Sequence, residues 1–192
     1  MEGNIGITIR WGRLALFLVV SVIIALVIFN PPYHTNILAK SKIEETDLFN
    51  QTNQKRIENG LQILYFNNEL YQAAFKKAND IFVRGYFDHY TPDGNPPWQF
   101  ILDNGYDYEY AGENLAIGFE KPSDATQAWM QSPTHRANIL NPRYQDIGIA
   151  AVRGIFNNRE TTVVVQMFGK ERPYVLSTVS GLAQEVFNPQ NP

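Results

Sequence analysis

Ala128-Trp129-Met130-Gln131-Ser132-Pro133-Thr134-His135-Arg136-Ala137-Asn138-Ile139-Leu140 carries two helices and the break between them. Serine is a strong helix N-cap and proline is favoured at the first helical position. Ser132-Pro133 therefore starts a helix that runs to about Leu140. The helix before it, capped by Ser123 or Asp124, ends near Met130. Trp129 shares helical spacing with Ala125 and Ala128 and reads as core.

Working outward, the segment LFNQTNQKRIEN, with Asp47 as its N-cap, reads as a helix with Leu48, Phe49, Thr52, Arg56 and Ile57 near one face. Gly60 closes it. A second helix starts near Asn67 or Asn68, where Leu70, Ala73, Ala74, Ala78, Ile81 and Phe82 recur at three- and four-residue spacing, and Gly85 ends it. The Pro-Asp-Gly-Asn-Pro-Pro run after Phe87 is a loop. A short helix is expected over Pro97–Asn104, and a strand over Tyr106–Gly118, in which Tyr106, Tyr108 and Tyr110 alternate along one face. Two strands follow the Ser-Pro helix, Asp146–Val152 and Glu160–Phe168, with Asn157-Asn158 suited to the hairpin between them. Helices interspersed with a few strands in one domain give an α+β, three-layer α-β-α sandwich.

The N-terminus addresses location. Leu14–Phe29 is a run of sixteen residues without a charge, preceded by Arg10 and Arg13 and closed by Asn30-Pro31-Pro32. A span needs roughly 17–25 apolar residues, which Trp11 and Gly12 help to supply. The positive-inside rule then leaves residues 1–13 in the cytoplasm, residues 14–30 as a single transmembrane anchor, residues 31–43 as a linker, and the remainder outside. The alternative is a secreted protein released by signal cleavage, but a small-x-small site is poorly met downstream. Residues 173–192 read as a loose tail. Residues 1–43 carry a net charge of +3 and residues 44–192 carry −6. An acidic outer part without a lysine or arginine cluster excludes nucleic acid as a partner. There are no cysteines, which excludes disulfides, thiolate nucleophiles and thiolate-bound zinc.

Four strings, in this order, resemble the CAP superfamily (cysteine-rich secretory proteins, antigen 5 and pathogenesis-related group 1), also called the SCP domain, in its bacterial form. They are Asn53-x-x-Arg56-x-x-x-Gly60-Leu61; Gly85-Tyr86-Phe87-Asp88-His89 with Pro92, Gly94 and Pro96; Gly112-Glu113-Asn114-Leu115-Ala116; and the stretch 128–140, continuing through Pro142 and Tyr144 to Ile147-Gly148. The resemblance covers about residues 45–170, within a domain bounded at 44–172, and implies the same α-β-α sandwich.

It also implies a cleft with two histidines and two glutamates. His89 and His135 match the histidines and Glu113 the first glutamate, whereas the second glutamate's position is Ser132. The cleft set is thus His89, Glu113, Ser132 and His135. Two imidazoles and a carboxylate can hold a divalent metal, with zinc favoured, Glu113 either binding it directly or standing behind a water. A hydrogen-bonded network fixing loops is the alternative for the same residues. Ser132 reads as a helix cap rather than a nucleophile, because no carboxylate is placed to orient His135. Three functions stay open. The first is a membrane-anchored extracytoplasmic module binding a lipid, peptide or envelope component. The others are a structural envelope protein with a vestigial cleft and a metal-assisted peptidase.

Overall fold

The computed structural model describes residues 43–173. Within them the elements run α1 (Glu45–Glu58), β1 (Tyr65–Phe66), α2 (Asn68–Arg84), α3 (Trp98–Leu102), β2 (Tyr108–Ile117), α4 (Pro122–Gln131), α5 (Pro133–Ile139), β3 (Asp146–Phe156) and β4 (Arg159–Glu171). The predicted anchor at 14–30 and almost all of the tail lie outside the described residues. Among those that are described, no helix is long and apolar enough to cross a membrane.

The strands form one sheet in the order β1-β3-β4-β2. β3 and β4 are an antiparallel hairpin, β2 adds antiparallel to β4, and β1 adds parallel to β3 over two residues only. Asn157 and Asn158 both take left-handed φ, 49° and 60°, as a two-residue hairpin connection requires. The hairpin is longer at both ends than its β-branched centre suggests. β1 has too few residues to produce any alternation in the sequence.

Alternate strand residues face opposite sides. Val163, Val165 and Met167 of β4 join Ala150, Val152 and Leu115 in a core closed by Leu70, Ala74, Ile81 and Ile101 of α2 and α3. Val164 and Phe168 join Ile147, Ile149, Ala151 and Ala116 under Leu48, Ala125, Trp129 and Ile139 of α1, α4 and α5. This is the expected three-layer sandwich. Trp129 is buried and its indole donates to the Leu115 carbonyl at 3.0 Å.

Several helix starts move from their expected places. α1 begins at Glu45 after Glu44, so Asp47 is not its cap. Glu45 and Asp47 instead sit in its first turn, where the helix dipole favours acids. Ile57 of α1 is exposed rather than buried. α4 begins at Pro122, before Ser123 and Asp124. Asn67 caps α2 by accepting from the Leu70 N–H, and Gly85 ends that helix at φ 68°. Arg56 of α1 is fully covered and donates to the carbonyls of Gln62, Ile139 and Asn141, each at 2.8 Å. It thereby fastens the loop after α5 to the first helix.

Gly148 of β3 lies directly under α2, where a Cβ would strike the backbone of Leu70 and Tyr71. Backbone on both sides leaves no side chain to yield. Gly148→Val is therefore expected to destabilise the fold by on the order of 3 kcal/mol or to prevent folding, read by chemical denaturation.

Candidate functional site

β2 is an edge strand, and its two faces serve different ends. Glu113 shares parity with Leu115 and faces the α2 side, while Asn114 faces the α1, α4 and α5 side. The Glu113 side chain is 1% exposed. Its Oε1 and the Nδ1 of His89 share a proton across 2.6 Å, and its Oε2 is sealed from solvent without a hydrogen-bond partner. His89, in the loop after α2, leaves 47% of its side chain open. The pair is a buried carboxyl group capped by an imidazole that solvent can reach.

Further hydrogen bonds on both faces of the sheet hold this arrangement. Lys77 of α2 is fully buried and donates to the His89 carbonyl at 2.6 Å and to the Tyr86 hydroxyl at 3.2 Å. Tyr86 in turn donates to Asp80 at 2.7 Å. On the other face, Asn138 of α5 donates to the Glu113 carbonyl at 2.9 Å and to Asn114 Oδ1 at 3.0 Å. Asn114 donates to the carbonyl of His135 and to Gln166 Oε1, each at 3.2 Å, and Gln166 donates to Thr52 at 2.9 Å. One polar chain therefore runs from α1 through β4 and β2 to the backbone of His135.

His135 does not join the carboxylate. Its Nδ1 is hydrogen-bonded to the Ser132 hydroxyl at 2.8 Å. Ser132 occupies the N-cap position of α5, yet its side chain makes no capping bond. The expected cap is thus corrected: the hydroxyl is directed to the histidine one turn on and also meets Thr134 at 3.3 Å. Of the four expected residues, the structure joins His89 to Glu113 and Ser132 to His135, as two pairs. Among the described residues, no group of three or more His, Asp or Glu side chains is assembled as a metal-binding set. His89 and His135 are near enough for the charge of one to act on the other.

The electrostatics separate the two histidines. Bonding to Glu113 raises the His89 pKa against the opposing effect of burial. Burial, with the charge of His89, lowers that of His135. Glu113 is raised by desolvation, which outweighs the pull of His89 and Lys77. Burial lowers the Lys77 pKa, opposed by the charges of Glu113, Asp80 and Asp88.

The sequence reading did not single out Lys77. The signal was present: Leu70, Ala74, Lys77 and Ile81 lie on one apolar stripe of α2, where an ammonium group needs a buried partner.

Both members of the His89–Glu113 pair have folded-state pKa values above their ordinary ones. The folded state then holds protons more tightly than the unfolded chain, so their contribution is greatest at low pH and is lost as pH rises. The pair's contribution to the unfolding free energy should decline between about pH 5 and pH 8, the interval above the ordinary carboxyl value that includes the ordinary imidazole value, against the opposite contribution of His135. Glu113→Gln should flatten that decline, as followed by denaturant melts across the interval.

Comparison with known proteins agrees with this fold. The model of the CAP, or cysteine-rich secretory protein, family matches residues 49–168. The Bacillus subtilis protein YkwD is 39% identical over 101 residues, covering 53% of this chain and 39% of its own length. The Bacillus subtilis membrane protein YlbC is 27% identical over 109 residues, covering 57% of this chain and 32% of its own. The matches therefore span well under half of either relative. Among solved structures, an outer surface protein of Borrelia burgdorferi superposes with a TM-score of 0.60 at 24% identity, over 66% of this chain and 92% of that one. An extracellular SCP-domain protein of Bacillus anthracis gives 0.58 at 24% identity, over 66% and 40%. These two establish likeness of fold. With the matched segment holding the sheet, its covering helices and both histidine pairs, the chain belongs to the CAP (cysteine-rich secretory protein) family, as a member without cysteines.

Proposed function

We propose that this protein is an extracytoplasmic ligand-binding module, held at a membrane by residues 14–30, whose cleft is built around the His89–Glu113 pair. The observation that carries this reading is the 2.6 Å contact between a half-open imidazole and a sealed carboxyl group. A fold that only needed stability gains little from an orphaned buried carboxyl oxygen, which costs desolvation energy. The same arrangement presents a polarised imidazole edge to whatever enters the cleft. Location outside the cytoplasm is supported by Arg10 and Arg13 ahead of the apolar run and by relatives described as outer-surface, extracellular and membrane proteins.

Binding is favoured over hydrolysis because both polar pairs are already committed. Glu113 spends one oxygen on His89, and His135 has a hydroxyl rather than a carboxylate behind its ring.

A divalent metal is compatible in one respect. Both Nδ1 atoms are hydrogen-bonded, so the Nε2 atoms of His89 and His135 would hold it, with Glu113 and Ser132 as the supporting partners. Bound there, a metal would supply a Lewis acid and an acidified water. Glu113 takes the supporting place rather than that of a ligand, because its one engaged oxygen already faces His89.

The test is thermal melting of the full-length protein against zinc chloride, lipid vesicles, envelope glycan fragments and short peptides. A native-state ligand must raise the melting temperature. At least one probe is expected to do so, and His89→Ala and His135→Ala are expected to remove the shift. A shift that survives both variants would place the ligand elsewhere. A flat response to every probe would favour the structural reading.

A further inference from the structure

The sheet edge opposite β2 holds a second arrangement that the cleft does not use. Glu45, Thr46 and Phe49 of α1, Phe66 of β1, Tyr71 of α2 and Ile149 of β3 enclose a hollow of about 340 Å³, toward the lower end of small-ligand pockets. Three of its walls are aromatic. The rings of Phe66 and Tyr71 lie 6.0 Å apart, inclined at 46°.

Glu45 contributes a carboxylate to these walls, and its placement has a backbone cause. β1 covers β3 only at Asp146 and Ile147. Farther along the same edge no strand among the described residues lies beside the Ala151 N–H, which donates to Glu45 Oε1 at 2.9 Å. The carboxylate is thus fixed by an amide rather than by a cation. The ion pairs among the described residues do not include it. Burial raises its pKa, opposed by the Ala151 bond.

A partly buried carboxylate is thus the charged group in a hollow otherwise walled largely by aromatic and aliphatic side chains. A purely apolar occupant would bury the carboxylate further without compensation. The fitting occupant has an apolar stem and a cationic head. Apolar surface also continues outside the hollow, because Phe66 is 58% exposed. A free amine would leave that surface uncovered, whereas a peptide chain would cover it. The net charge of −6 on residues 44–192 favours approach of a basic partner.

We propose that this hollow receives a lysine or arginine side chain of a peptide partner, the alkyl stem against Phe66 and Tyr71 and the cationic head on Glu45. The site is separate from the His89–Glu113 cleft, and its occupation does not depend on the function proposed for that cleft.

The experiment titrates the full-length protein with the acetylated, amidated tripeptide Gly-Lys-Gly, followed by calorimetry or NMR. Gly-norleucine-Gly and butylammonium chloride are titrated in parallel. The lysine peptide should bind saturably, and about ten-fold more tightly than either control. Glu45→Gln, whose amide oxygen still accepts from Ala151, should weaken it about five-fold without changing the melting temperature. Phe66→Ala, a truncation of an exposed ring, should weaken it similarly and serves as the second variant if the first folds poorly. Equal binding of the norleucine peptide, or unchanged binding in both variants, overturns the site. Equal binding of butylammonium overturns the peptide partner.

Discussion

A carboxyl group placed where water cannot reach it constrains everything around it. Glu113 sits on the edge strand β2 with one oxygen bonded to His89 and the other sealed. Removing such a group from water is tolerable only if neighbours compensate, and each does so by fixing its own position. Lys77 holds the backbone of residue 89 while Glu113 holds its ring, so the loop after α2 is tied at one point to that helix and at another to β2. Asn138 ties the Glu113 carbonyl to α5, and Asn114 ties that helix to β4 through Gln166. The His89–Glu113 pair is therefore anchored from both faces of the sheet through one strand.

One small domain thus treats two histidines differently. His89 rests on a buried acid that pushes it toward its charged form, whereas burial, with the charge of His89, pushes His135 toward its neutral form. The two imidazoles, near enough for the charge of one to act on the other, thus differ in protonation tendency. The far edge of the sheet works by different physics. There a two-residue strand leaves an amide of β3 uncovered, and Glu45 fills the gap at the cost of a carboxylate among aromatic rings.

Much of this was legible in the chain. The apolar stripe of α2, the Ser-Pro break and the β-branched run of β4 announced the layers, because burial imposes period on sequence. That His89 and Glu113 belong to one site came through the resemblance, but their pairing did not, as residues 24 apart carry no signal of contact. Other features were hidden for physical reasons. β1 pairs over two residues and has no periodicity to display. Ser132 occupies a cap position but turns its hydroxyl to His135, a choice between competing local partners that composition does not decide. Helix starts shifted because acids and proline are also at home within the first turn.

The central claim is that Glu113 raises the pKa of His89 while burial lowers that of His135, and their side-chain NMR titrations address it without reference to any ligand. The account predicts a midpoint for His89 above the ordinary imidazole value and one for His135 below it. Coincident midpoints, or the reverse order, would contradict it.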